Sequence, residues 1–134
     1  MKRVINLLKK QAVAVLATSA DDRPRASVIE QYVLEGEAIL FGTDPRSIKG
    51  QKLAKNPRIS LSVMTETEMV TADGAVATPS EAEEKAYLNE LYTRHPEFKD
   101  MPNDETVCYK IIIDTAYYSD FSSGQMDAEV INNP

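Results

Sequence analysis

Ile39-Leu40-Phe41-Gly42-Thr43-Asp44-Pro45-Arg46-Ser47-Ile48-Lys49, running on to Asn56-Pro57-Arg58-Ile59-Ser60-Leu61, decides how this chain is read. The stretch spells strand, turn, short helix, turn, strand. Its apolar run stops at Thr43, and Pro45 stands where a first helical residue would, so backbone N–H groups at a helix start point outward beside Thr43, Ser47 and Lys49. Such a place suits a phosphate. The same residue types also cap a helix without any ligand, so capping and phosphate binding both stay open on these residues alone.

The flanking sequence reads as more sheet. Downstream, Asn56-Pro57 ends the helix, because a residue before proline avoids helical backbone, and Ile59, Leu61 and Val63 then alternate with Ser60, Ser62 and Met64. Met69 to Ala77 is a further strand, with Gly74 at a bulge or tight bend. Upstream, Val4, Ile5, Leu7 and Leu8 recur at helical spacing, Ala12 to Thr18 forms a buried strand, and Asp21-Asp22-Arg23-Pro24 turns the chain into a strand from Ala26 to Leu34. Glu35-Gly36 closes a hairpin to Ala38 through Thr43.

Ser80 and Glu83 form a capping box at the start of a helix that ends near Arg94, with Leu88, Leu91 and Tyr92 as its apolar stripe. A loop through Met101-Pro102-Asn103 leads to the last strong strand, Thr106 to Ile113, which Tyr117, Tyr118 and Phe121 extend. The expected fold is mainly β with peripheral helices, a small six-stranded antiparallel barrel. Residues 1–121 make the domain. Residues 122–134 form a polar tail, apolar only at Met126, Val130 and Ile131, that is either frayed or folded onto a partner subunit.

Composition narrows the function. The 134 residues fit one domain, which buries roughly two-thirds of the surface of its unfolded chain. A net charge of −6 argues against a nucleic-acid surface, so an anionic ligand must meet a local basic spot. Lys9-Lys10 and the span from Arg46 to Arg58 are the basic concentrations, and the second coincides with the phosphate candidate. One cysteine, Cys108, and one histidine, His95 beside Pro96, give little to a metal or His-based centre, and both read as structural. The N-terminus imitates a signal peptide, but Lys9, Lys10 and Gln11 interrupt its apolar region, and the expected location is cytoplasmic with no membrane span.

The order of elements resembles the pyridoxamine 5′-phosphate oxidase-like family of flavin-binding split barrels, especially its small general-stress-protein-type members. The resemblance runs from about Lys2 to Phe121 and is carried by Thr43, Ser47, Lys49, Leu53 and Asn56-Pro57-Arg58 in sequence. It implies a split barrel in which Thr43, Ser47, Lys49 and Arg25 hold the FMN phosphate, while Ser27, Val28 and Ile29 lie along the flavin. It also implies a homodimer with the flavin at its interface and a small-molecule substrate, with no catalytic residue assigned. Deazaflavin and haem rank below FMN as ligands.

Three residues depart from the family pattern. Glu30 stands where members that oxidise pyridoxamine phosphate carry a basic residue, Gly42 replaces an aromatic, and Ile48 replaces an Arg. The long C-terminal segment with its Arg/His pair is not matched either, so pyridoxamine phosphate oxidase activity itself is not expected. An FMN-dependent reductase or oxidase is the leading reading. A non-enzymatic flavin or haem carrier, and a regulatory dimeric barrel with a decayed site, are the alternatives.

Overall fold

The computed structural model describes residues 1–101, 105–124 and 128–133; Pro102, Asn103 and Met126, read above as loop and tail, lie outside them. Three α-helices, α1 (Lys2–Lys10), α2 (Ile48–Lys55) and α3 (Glu81–Arg94), surround one antiparallel sheet. Its strands are β1 (Val13–Ala20), β2 (Arg23–Glu30), β3 (Tyr32–Val33), β4 (Ile39–Thr43), β5 (Arg58–Met64), β6 (Glu68–Ala77), β7 (Val107–Asp120) and β8 (Glu129–Asn132). A 3₁₀ turn, Pro96–Asp100, follows α3. The sheet has eight strands rather than the expected six, for two reasons.

First, the strand expected from Ala26 to Leu34 is cut at Gln31. The sheet order is β2-β1-β5-β6-β7-β4-β3, so β2 and β3 are consecutive in the chain yet lie at opposite ends of the order. Only a curled sheet allows that. Gln31 makes the crossing: its backbone N–H donates to Ala12 O at 2.8 Å, and its buried side-chain amide donates to Leu8 O at 2.7 Å and Gln11 O at 2.9 Å. The last two are carbonyls at the end of α1, which no helical partner could satisfy. Helix α1 therefore plugs the curled sheet, with Val4, Ile5, Leu7 and Leu8 buried in the main core.

Second, β7 runs on to Asp120 as one strand and gives an edge to both β4 and β8. Residues 129–132 of the tail are not frayed: they pair with Thr115 to Tyr118 of the same chain. Arg3 reinforces this by reaching Glu129 at 2.9 Å. The register of β6 on β7 shifts between Asp73 and Gly74, which is the bulge expected at Gly74. A Cβ there would sit 2.0 Å from Ile112 O, so only glycine allows the approach.

The turn at Asp21-Asp22 is tighter than expected. Both residues have positive φ, 54° and 60°, as in a two-residue hairpin, and β2 starts at once at Arg23. Helix α2 also starts later than Pro45. Asp44 Oδ1 accepts from the Arg46 backbone N–H at 2.8 Å, Ser47 N–H donates to Asp44 O at 3.0 Å, and Ser47 becomes the N-cap, so Pro45 belongs to the preceding turn. Gly50 lets the helix dock there, since a Cβ would lie 2.6 Å from Asp44 O and 2.8 Å from Pro45 Cα.

Strand β4 is buried on both faces, which explains an apolar run in place of alternation. Ile39 and Phe41 enter the core inside the curl, whereas Leu40 faces a second core with Tyr32, Leu34, Tyr87, Leu91 and Cys108 beneath α3. The expected capping box holds α3, and Glu83 also pairs with Lys110 at 2.7 Å. Tyr87, not Leu88, supplies the most buried contact of the helix.

Replacing Gln31 with Leu strands two carbonyls at the end of α1 and is expected to destabilise the fold by about 2–3 kcal/mol in urea titrations followed by circular dichroism. Gly50→Ala is expected to cost about 1–3 kcal/mol in the same titration, because the new methyl meets backbone that cannot yield without moving α2.

Candidate functional site

Four of the predicted residues converge where β4 meets α2. Thr43 ends β4 with its side chain buried, and its hydroxyl lies 3.2 Å from Ser47 Oγ. Ser47 Oγ donates to Asp44 O at 2.6 Å and accepts from Gly50 N–H at 3.0 Å. Ser47 is thus a working N-cap with its hydrogen given to Asp44 O, so Thr43 donates in the 3.2 Å contact with Ser47 Oγ, and the donors left at this helix start are Lys49 and first-turn amides that have no helical acceptor.

The arrangement of α2 brings Lys49 to Arg25. Lys52 Nζ donates to Arg23 O at 2.9 Å, Lys55 pairs with Asp21 at 2.9 Å, and Asn56 Nδ2 donates to Ser19 O at 3.0 Å, so α2 is laced to the β1–β2 hairpin. Lys49 lies one turn before Lys52, and Arg25 two residues after Arg23. Burial, and after it the nearby Arg25 charge, lowers the pKa of the Lys49 ammonium. Among the described residues neither cation has a carboxylate partner. Two adjacent cations at a helix start, one of them half-buried, could receive an anion.

The remaining predicted residues are on β2, whose outer edge carries no strand. Ser27 is half-buried and Val28 is 71% exposed. Strand alternation turns the Ile29 side chain into the main core, against the expectation that it lies along a ligand, and leaves its backbone for that part on this edge. Ile48, which replaces the family's Arg, is exposed.

A cleft of about 570 Å³ opens beside the same end of β4, with Gly42 and Asp44 in its wall. Glu30, Tyr32, Tyr87, His95 and Phe98 also line it. Gly42 matters because a Cβ there would come within 2.4 Å of the Tyr87 hydroxyl, so the missing side chain leaves room for Tyr87 from α3 to reach the strand. Asp44 is clamped by Arg46, at 2.8 and 3.0 Å, which holds its carboxyl down to about 2.

Glu30 and His95 are the pair that sequence reading missed. His95 ends α3, as a helix-end residue should, but its Nε2 lies 2.9 and 3.2 Å from the two Glu30 oxygens. The Tyr32 hydroxyl donates to Glu30 Oε1, and Arg94 lies 4.0 Å from that oxygen while stacking 4.2 Å over the Tyr32 ring. Burial would raise the Glu30 carboxyl, but the bonds from Tyr32 and His95 and the Arg94 charge outweigh it and hold the pKa below the ordinary range. Burial first, then Glu30, raises the Tyr32 phenol. Cys108, pushed up to about 12 mainly by burial, is an inert core thiol.

Known structures share this architecture. General Stress Protein 26 from Bacillus anthracis str. Sterne superposes with a TM-score of 0.73 at 19% identity, over 98% of this chain and 97% of that one. A FAD-binding protein from Mesorhizobium loti gives 0.67 at 16% identity, over 87% and 91%. A heme binding protein from Mycobacterium smegmatis gives 0.74 at 18% identity, over 93% of this chain and 55% of that one. At these identities the likeness is one of fold. No curated protein matches the chain in sequence. The sequence model described as pyridoxamine 5′-phosphate oxidase matches residues 2–120, nearly the whole chain, and the protein belongs to that family.

Proposed function

We propose that this chain binds FMN and, as a homodimer, uses it to exchange a hydride with a small substrate. The observation that carries the proposal is the Lys49–Arg25 pair, two cations without a carboxylate partner among the described residues, beside the Thr43 hydroxyl and the start of α2. Like charges in a partly desolvated place repel each other, and a terminal, dianionic phosphate monoester relieves both. The FAD-binding and heme binding relatives are consistent with a cofactor-carrying barrel.

The chain's own residues divide the work. Lys49 and Arg25 would neutralise the phosphate and the first-turn amides of α2 would donate to it, with Thr43 joining them by turning its hydroxyl from Ser47 Oγ to the phosphate. Along β2 the unpaired backbone edge at Ser27 to Ile29 offers donors and acceptors to a planar heteroaromatic ring. When bound, FMN supplies hydride transfer, so no separate catalytic dyad is required of the protein. Glu30 and His95 hold a proton at the cleft wall, between Oε1 and Nε2. Haem is served less well, since both ring nitrogens of His95 already face carboxylates, Glu30 at 2.9 Å and Glu97 at 3.6 Å.

The outer face of the sheet supports the dimer. Strand register lines up Val28, Val15, Ser62, Thr71, Tyr117 and Val130 in one row across six strands. The row contains no charge, and Val28, Tyr117 and Val130 are 71%, 43% and 57% exposed. A smooth uncharged stripe of this kind suits a second copy of itself. Because Val28 neighbours Ser27 on β2, the interface and the cofactor edge share a strand.

FMN should remain with the purified protein through desalting, with its visible flavin bands intact. Lys49→Ala and Arg25→Ala are each expected to weaken FMN binding by about 10- to 100-fold in fluorescence titrations, while leaving the weaker binding of riboflavin, which has no phosphate, unchanged. A colourless protein that does not retain added FMN, or variants that bind it as well as the parent, would overturn the assignment. In sedimentation velocity the parent should run as a dimer and Val28→Lys as a monomer with reduced FMN retention.

A further inference from the structure

We infer that the cleft beside Glu30 is a binding site for a small flat cation, an aromatic or heteroaromatic ring bearing an amidinium-like or protonated nitrogen. The inference stands on the cleft itself and holds whether or not FMN binds. At about 570 Å³ the cleft has the volume of an ordinary small-ligand pocket. Its walls are aromatic: Tyr32 and Tyr87 meet edge to face with centroids 5.1 Å apart, and Phe98 lies 5.2 Å from the His95 ring. Walls of this shape accept a flat ring.

Glu30 gives the cleft its sign. Its Oε1 accepts from Tyr32 and from His95 Nε2, which fixes the carboxylate in place, while Oε2, 3.2 Å from the same nitrogen, keeps lone pairs for another donor. The side chain is one-third exposed and so can be reached. Asp44 and Glu105 line the same cleft, and Glu97 stands 3.6 Å from His95 Nδ1.

Against these four carboxylates stand two guanidiniums, both engaged: Arg46 with Asp44 and Glu105, and Arg94 with Tyr32, Glu30 and Glu90. An anionic ligand would enter a field of excess negative charge and face the Glu30 carboxylate. A cation would find both a charge partner in Glu30 and the half-buried ring of Phe98 beside it.

The test uses benzamidine and benzoate, matched in size and shape but opposite in charge, titrated into the purified full chain at pH 7 and followed by saturation-transfer NMR and calorimetry. Benzamidine should bind with a Kd at least about tenfold below that of benzoate, and Glu30→Gln should reduce that preference to about threefold or less. Equal or tighter benzoate binding, binding of neither probe, or a preference unchanged in Glu30→Gln would overturn the inference. A thermal melt reports whether Glu30→Gln folds, and if it does not, the two-probe comparison on the parent protein decides alone.

Discussion

The structure depends on one crossing. Because β2 and β3 are separated only by Gln31 and yet occupy opposite ends of the sheet order, the sheet cannot lie open; the chain itself closes the curl. A crossing of this kind leaves backbone groups with no ladder to join, and α1 ends nearby with carbonyls that no helix can satisfy. The Gln31 side chain meets the second need and its backbone N–H part of the first. Glu30 and Tyr32 flank Gln31 on either side of that crossing, and their side chains meet. The cleft's central carboxylate is therefore a by-product of how the barrel closes.

Two-sided burial of β4 extends this logic to the cationic end at α2. With Phe41 inside the curl and Leu40 beneath α3, the strand is pinned on both faces, and the residues that follow are delivered to both candidate sites. Thr43 turns toward Ser47 and α2, whereas Gly42 and Asp44 turn toward the cleft. Rigid support from two cores lets a turn of only a few residues serve two ligand environments. Gly42 and Gly50 contribute by being small: one admits Tyr87 to the strand, the other admits α2 to the turn.

What was legible in the sequence was local. Capping at Ser47 and Ser80, the bulge at Gly74, the alternation after Arg58 and the helix stop before Pro96 all follow from neighbours along the chain. The misses were non-local. Nothing around Gln31 distinguishes a crossing from a continuous strand, since β-propensity is high on both sides. Residues 30 and 95 are joined only because α3 packs across β3 and β4. Which of Ser27, Val28 and Ile29 could offer a side chain rather than backbone was equally hidden, since successive side chains point opposite ways and only the packing shows that Ile29 turns inward. Strand β8 escaped notice because an edge offered by the long β7, not its own sequence pattern, makes it a strand.

Charge ties the two ends together. Arg25 and Glu30 are five residues apart on β2, which at the rise of an extended strand separates them by about 16 Å. That exceeds a Debye length of about 8 Å at physiological ionic strength, so the cationic end and the anionic end persist as separate fields and do not cancel. They also differ in kind. Glu30 is braced by donors on both sides, while Lys49 and Arg25 face one another without a carboxylate in a protein whose net charge is −6 and whose surface has acids to spare. Ordinary selection for stability would place one of those acids between them, because the juxtaposition carries repulsion and desolvation with no folding benefit. Its persistence is understandable if the missing counter-charge arrives with a ligand.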